Sequence, residues 1–379
     1  MSNYEEIQRP RLIVDEARAR VNIEEMAEKA RLSRVAFRPH FKTHQSRTVG
    51  RWFRDYGVDK ITVSSLSMAS YFAGDGWNDI TVAFPHNRRE AGRAAELAER
   101  IRLNVLLLDE ETAAVLAGRI SAPAGAWIKV DTGYGRTGIP WQEGERVLAL
   151  ARRIKEAKTL VFEGLLTHAG HSYHLHEAAD KRELFALTAE RLQELRGLLE
   201  DAGIENCKLS VGDTPAAMAM GRFEGVDELR PGNFVYFDAQ QYHLGSCSEE
   251  RIAAVVACPV VAVHEERNEC ILYGGAVHLS AQPEEHPSGG TMYGYGLRLK
   301  ETGSGAGGAA APWDRIDPKA YLRKVSQEHG VLRCGARLIE TLRPGDLIAV
   351  VPVHSCLAVD LLDEAMDTEG GRIELGRFT

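Results

Sequence analysis

At 379 residues the chain can bury a large core and exceeds one ordinary compact unit, so two domains are expected. Apolar residues at 44% and charged residues at 26% describe a soluble globular protein, and a formal charge of −8, from 46 basic against 54 acidic side chains, argues against a general nucleic-acid or anionic-membrane surface. The opening MSNYEEIQRP has neither a basic n-region nor an apolar core, and no apolar run reaches membrane-spanning length, so neither a secretory signal nor a membrane span is expected.

RPRLIVDEARARVNIEEMAEKA reads as a strand followed by a helix; the strand, within residues 1–20, is expected to join a later β domain. Residues 21–245 then alternate short β-rich runs with amphipathic stretches. The strand candidates are VAFRPHF, ITVSSL, DITVAF, NVLLL, AWIKVD, VFEGLLTH, KLSVG and ELRPGNFVYF. Between them, RREAGRAAELAERI and EGERVLALARRIKEA are apolar at i, i+3, i+4 and i+7, and HEAADKRELFALTAERLQELRGLLEDAG is the longest helix, closed by a glycine. Eight β-then-α alternations predict a (β/α)8 TIM barrel. A doubly wound open sheet competes, but the count reaches eight and no GxGxxG follows the first strand.

Residues 246–379 change texture. RIAAVVACPVVAVHEE, ECILYGGAVHLS, VLRCGARLIE and DLIAVVPVHSC are β-like with no long helical period between them, which predicts a separate C-terminal β domain. ETGSGAGGAAAPWD, rich in glycine and alanine, reads as a flexible surface loop. The six cysteines (Cys207, Cys247, Cys258, Cys270, Cys334 and Cys356) form no CxxC pair, which predicts thiols in a reducing cytoplasm.

A barrel of this kind gathers its chemistry at the C-terminal ends of its strands. Lys42 follows the first strand, Asp131 and Arg136 the fifth, and His168 the sixth. Ser210, Gly212 and Thr214 come with the seventh, and Arg230, Gly232 and Asn233 with the eighth. The loops after strands seven and eight are where barrels bind phosphate: glycines let backbone N–H groups approach an anion, and hydroxyls add donors. Alone, GDT and PGN are ordinary turn sequences. With a lysine at the end of strand one they suggest pyridoxal phosphate, its aldehyde joined to the amine and its phosphate anchored opposite.

FRPHFKTHQ, DTGYGRTGI, THAGHSY, SVGDTPA, ELRPGNFVYFD, SQEHG and VPVHSC follow an order that resembles the D-serine dehydratases and D-threonine aldolases, over roughly residues 8–360. These are fold-type III pyridoxal-phosphate enzymes with an alanine-racemase-like barrel and a C-terminal β domain. The resemblance implies that Lys42 is the Schiff-base lysine, that Arg136 lies near the cofactor's phenolic oxygen, and that His168 packs by the pyridine ring. It places Tyr173, Ser210, Gly212, Thr214, Gly232 and Asn233 around the cofactor and its phosphate. His354 and Cys356 match the family's metal pair, which is His-x-Cys in the dehydratases and His-x-Asp in typical aldolases. An i, i+2 pair on a strand points to one face, and imidazole with thiolate favours zinc. Departures fall at Val353, where a polar residue is usual, and in LYGGAVHLSAQ, which lacks expected aspartates; both bear on the substrate.

Each residue has a plainer reading. Lys42 and Arg136 can be solvated cations, His168 a satisfied core histidine, Tyr173 a packing residue, and His354 with Cys356 ordinary members of a β domain. His40 and His44 read as structural, and Asp238 and Gln240 as helix-entry residues. The ordered motifs favour a pyridoxal-phosphate- and metal-dependent lyase on D-β-hydroxy amino acids, with D-serine dehydration first and retro-aldol cleavage the alternative. A racemase has no use for the metal pair, and a non-catalytic cofactor carrier has no use for the second domain. The expected partners are a small D-amino acid and, by the resemblance, a second copy in a homodimer, with no nucleic acid and no membrane.

Overall fold

A computed structural model describes residues 4–300 and 312–378. The glycine- and alanine-rich stretch 301–311 lies outside the described residues. Among the described residues no helix is long and apolar enough to cross a membrane. The chain divides into two compact units. One holds the segment ending at Ile23, Thr43–Val49 and the described residues of Asn233–Leu375; the other holds Glu24–Lys42, Gly50–Gly232 and the tail from Gly376.

In chain order, β1 (Arg11–Val14) belongs to the first of these units. The second unit is built on parallel strands: β2 (Ala36–Phe37), β3 (Ile61–Val63), β4 (Asp79–Pro85), β5 (Arg102–Leu107) and β6 (Ala124–Asp131). A short β7 (Ile139–Pro140) pairs only with β6, and β8 (Leu160–Leu166), β9 (Lys208–Val211) and β10 (Glu228–Leu229) follow. The order around the sheet is β2-β10-β9-β8-β6-β5-β4-β3, each run separated from the next by a helix or short helical turn. Closure comes from the chain beyond β2. On one side Arg38 N–H bonds Leu229 O and His40 N–H bonds Pro231 O, both at 2.9 Å; on the other Phe41 N–H bonds Thr62 O at 2.8 Å and Thr62 N–H bonds Pro39 O at 2.9 Å. The eight-stranded barrel read from the sequence is the fold.

The longest helix, Ala178–Asp201, buries Leu184, Phe185, Ala189, Leu192, Leu195 and Leu199 along one stripe. It ends at Gly203, whose φ of +77° lets its N–H reach Glu200 O at 2.9 Å while Ile204 N–H reaches Leu199 O at 2.8 Å. Inside the barrel a charged chain fills space where most cores place aliphatic residues. Arg38 Nε donates to Glu228 Oε2 at 2.7 Å, Arg38 Nη1 donates to Asp79 Oδ1 at 2.6 Å, and Glu228 Oε1 accepts from Ser210 Oγ at 2.8 Å.

The other unit is a mostly antiparallel sheet of β1 with β11 (Ala254–His264), β12 (Glu269–Tyr273), β15 (Gly294–Arg298), β16 (Tyr321–Val325), β17 (His329–Arg333), β18 (Leu347–Pro352), β19 (Ala365–Asp367) and β20 (Arg372–Ile373). A separate hairpin joins β13 (Glu284–Glu285) and β14 (Thr291–Met292). The order is β12-β17-β16-β15-β18-β11-β1-β19-β20, and a further pairing of β12 with β11 closes six of the strands into a barrel-like layer. β1 runs antiparallel to β11 and parallel to β19.

Several runs read as strands are shorter than expected. ELRPGNFVYF pairs only over Glu228–Leu229 and then turns into a 3-10 helix at Asn233–Val235, because Pro231 has no N–H to continue the ladder. ECILYGGAVHLS leaves the sheet after Tyr273 for a short helix, Ala276–Leu279: a Cβ on Gly275 would sit 2.4 Å from Ser326 O, so only glycine permits the turn. VLRCGARLIE likewise ends in a helix, Ala336–Ile339, after Gly335. All six cysteines are free thiols, five of them buried.

Candidate active site

The mouth of the parallel barrel is shaped first by the loop after β6. Asp131 Oδ1 accepts from the backbone N–H groups of Gly133 and Tyr134 at 2.9 Å and of Gly135 at 3.1 Å, winding DTGYG around one carboxylate. Gly138, at φ +128°, lies so close that a Cβ would meet Asp131 N at 2.5 Å. The loop thereby carries Arg136, exposed, with its guanidinium 5.4 Å from the centre of the Tyr134 ring.

After β8, His168 is half-buried and its Nδ1 lies 2.7 Å from Gly212 O. A carbonyl only accepts, so Nδ1 carries the proton and Nε2 the lone pair. Burial pushes this ring down to about 3, and the nearby charges of Arg136, Lys129 and Lys42 push the same way. Those three cations thus face one neutral imidazole. Lys42 itself is exposed, two residues beyond the His40–Thr62 bridge.

Gly212, directly after β9, lies against the backbone of Arg230; a Cβ there would fall 2.8 Å from Arg230 Cα. Arg230 is buried, donating through Nε to Ser210 Oγ at 2.7 Å and through Nη2 to Thr167 O. Ser210 thus accepts from Arg230 and donates to Glu228. Its hydroxyl is already committed. Burial pulls Arg230 down to about 10. Asp213 caps the helix Thr214–Ala219 through Ala216 N–H at 2.8 Å and accepts from Ser172 Oγ at 2.7 Å; burial raises it to about 6. Next to it the Thr214 hydroxyl is buried without a hydrogen-bond partner among the described residues. Tyr173 lies half-buried on the 3-10 turn Gly170–His174, and Gly232 is half-buried at the end of the unit.

Lys129, passed over in the sequence, belongs to this mouth. It sits on β6, 5% exposed, and burial with the guanidiniums of Arg230 and Arg136 pushes its amine down to about 7. The alternation of AWIKVD was the available signal, since an inward apolar face would not tolerate a lysine without a polar partner. An exposed lysine amine, several cations and an orphaned buried hydroxyl beside a glycine-lined loop suit an anionic aldehyde cofactor, and pyridoxal phosphate fits this donor set.

A second cluster lies wholly in the other unit. The chain enters that unit at Thr43, directly after Lys42, and again at Asn233, directly after Gly232. Here one expectation fails. His354 and Cys356 are not on a strand: β18 stops at Pro352, His354 is the N-cap residue of the helix Ser355–Leu361, and Cys356 lies in its first turn. The i, i+2 strand argument therefore does not apply. The cause is Asp238, which takes Ser355 N–H on Oδ2 at 2.9 Å while its Oδ1 caps the helix Ala239–His243 through Gln241 N–H at 2.9 Å. Phe237, at φ +53°, makes the turn that delivers this carboxylate, a strained position for a bulky residue.

Cys356 is buried, its Sγ 3.2 Å from Thr43 Oγ1 and 3.8 Å from Asn233 Nδ2. Asn233 also donates to Asp238 Oδ2 at 2.6 Å, so its amide lies among the residues that hold the thiol. His354 Nδ1 is 3.4 Å from Gln240 Oε1. Among the described residues no three histidine, cysteine or acidic side chains gather as a metal cage. An imidazole and a thiol with hydroxyl and amide donors around the sulfur still fit an open site, in which water and substrate complete the shell.

The same burial predicts acid sensitivity. His44 is pushed to about 3 by burial, like His168. Both rings stay neutral when folded, whereas unfolded histidine takes up a proton below about 6.5. Stability present above that pH is therefore lost as pH falls toward 3, by up to about 5 kcal/mol per ring at the acid end. Urea unfolding of the cofactor-free protein between pH 7 and pH 4 is the check; a flat midpoint contradicts it.

A family model described as "Alanine racemase, N-terminal domain" matches residues 14–240, and one described as "Putative serine dehydratase domain" matches residues 253–366. The chain is 28% identical over 360 residues to D-threo-3-hydroxyaspartate dehydratase of Delftia sp. (strain HT23), covering 92% of this chain and 90% of that one. It is 29% identical over 293 residues to D-serine dehydratase of Dictyostelium discoideum, covering 72% and 74%. The solved structure of the Delftia dehydratase superposes with a TM-score of 0.88 at 25% identity, covering 100% of both chains.

Proposed function

The chain belongs to the family of the alanine racemase N-terminal domain, as a pyridoxal-phosphate-dependent lyase of D-hydroxy amino acids, and we propose that its reaction is dehydration, with D-serine as substrate. The observation that carries the reading is the pairing of His354 with Cys356, a histidine and a thiol at the head of one helix, in a chain whose other cluster offers an amine among cations.

Pyridoxal phosphate supplies the electron sink that makes a Cα proton removable. His354 and Cys356 would hold zinc, which would supply a Lewis acid for a β-hydroxyl that as free hydroxide leaves poorly. The rest is the work of the chain's own side chains. Lys42 offers the amine that holds the cofactor and then takes the Cα proton. Arg136 brings positive charge beside anionic oxygen. His168, kept neutral with its proton on Nδ1, presents no second positive charge to the ring it packs against. Thr214 and the backbone around Gly212 and Gly232 serve the phosphate. Thr43 and Asn233 place a hydroxyl and an amide beside the sulfur of Cys356, where they can position it. D-serine loses its α-proton and β-hydroxyl as water, and hydrolysis of the resulting enamine gives pyruvate and ammonia.

The test is product analysis with D-serine, D-threo-3-hydroxyaspartate and D-threonine. A 2-oxo acid with ammonia is expected, lost on chelation and restored by zinc. Glycine with an aldehyde would replace dehydration by retro-aldol cleavage, the second reading, in which the β-hydroxyl proton is the one removed. D-threo-3-hydroxyaspartate as the preferred substrate would keep the reaction and change the substrate.

A further inference from the structure

Gln240 lies on the first turn of the helix Ala239–His243, and its side chain joins two others. Its Oε1 is 3.4 Å from His354 Nδ1, and its Nε2 donates to Glu284 Oε2 at 3.3 Å. Its backbone N–H bonds Val353 O at 3.2 Å, which ties this turn to the residue before His354. Two residues earlier, Asp238, the N-cap residue of the same helix, accepts from Ser355 N–H at 2.9 Å. The segment 353–355 is thus gripped from one short helix by both backbone and side chain.

The chemistry of the row is directional. Glu284, when ionised, only accepts, so the amide of Gln240 must turn its NH2 toward Glu284 and its carbonyl toward His354. That carbonyl also only accepts, so His354 must carry its proton on Nδ1, leaving the lone pair on Nε2. The carboxylate sets the amide, the amide sets the tautomer, and the tautomer decides which nitrogen can bind a metal. A hydrogen bond onto the distal nitrogen also makes an imidazole a more basic ligand.

We propose that Gln240, oriented by Glu284, is a positioning residue that fixes His354 as an Nε2 metal ligand. The inference rests on the metal-binding reading above and adds residues to it. Neither Gln240 nor Glu284 touches the metal or substrate in this scheme.

The experiment titrates zinc into the pyridoxal-phosphate-loaded full chain against a chromophoric chelator, and repeats it with cobalt to read the thiolate-to-metal absorbance. The wild type should bind one zinc per chain and His354→Ala should not; a wild type that binds no zinc overturns the metal reading itself. Given wild-type binding, Gln240→Leu should weaken zinc by about 10- to 100-fold. The exchange variant Gln240→Glu with Glu284→Gln keeps an acceptor facing His354 and reverses the bond between positions 240 and 284, the amide now donating from 284, and should restore affinity to within about threefold. Affinity unchanged in Gln240→Leu overturns the inference. So does a loss that the exchange variant fails to restore, since the side chain would then act through packing. If Gln240→Leu does not fold, Glu284→Leu alone carries the test, because it removes every acceptor for the Gln240 amide: weakened zinc supports the inference, and wild-type affinity overturns it.

Discussion

Replacing Lys42 with alanine should reduce dehydration of D-serine by about 10³-fold or more, since the same amine anchors the cofactor and moves the proton, and a positioned base alone is worth about 10²- to 10⁴-fold. The effect should exceed that of any neighbouring cation. Lys129 and Arg136 surround the site with positive charge, yet Lys129 is buried on its strand and Arg136 is a guanidinium that cannot deliver a neutral amine. Borohydride reduction followed by peptide mapping gives an independent readout: pyridoxyl label should appear on Lys42 in the wild type. Label on Lys129 instead would transfer the role to the amine that burial has already pushed down to about 7. Lys42→Arg, which keeps the charge and loses the chemistry, should be as inactive as alanine while retaining much of the cofactor affinity.

The largest stability effect is expected inside the barrel. Glu228→Ala should cost about 3–5 kcal/mol, the range for removing one partner of a buried ion pair. Glu228 is 4% exposed and Arg38 4% exposed, so the guanidinium loses one carboxylate where water cannot replace it. The loss extends upward. Ser210 Oγ loses its acceptor, and Arg230 Nε then leans on a hydroxyl that no longer has a fixed direction. Urea denaturation measures the first effect, and cofactor affinity of the folded fraction measures the second. A midpoint within about 1 kcal/mol of wild type would mean that Asp79 alone can hold Arg38, through the contact at 2.6 Å.

Much of this could be read from residues in order. Eight short apolar runs bounded by turn formers map onto the eight barrel strands, because a parallel strand buried on both faces needs no partner information to look like itself. The places where reading failed share a cause. VPVHSC continues an apolar run, and nothing within it signals a helix start; the signal is Asp238, 117 positions away in sequence from Ser355. Ser210 sits on β9 just before a phosphate-like loop, yet the partners of its hydroxyl, Glu228 on β10 and Arg230 just after it, come from further along the chain. Lys129 was legible in principle, since alternation aims it inward, but a lysine in an apolar strand attracts less notice than one between histidines. Gln240 looked like a helix-entry residue and is one; its second occupation depends on Glu284 and His354, each from another part of the chain.

The barrel's last seam has a mechanical meaning for the lysine. The β2–β3 edge is stitched by the bonds around Pro39, Phe41 and Thr62 and not by a long ladder, whereas β6 and β8 run side by side for much of their length. The joints on either side of β10 are as short, two paired residues each, and the amine stands immediately past the β2–β3 joint. Breathing of the wall would therefore be felt first where the chemistry needs a side chain to swing between two tasks, and the opposite wall would stay still beneath it.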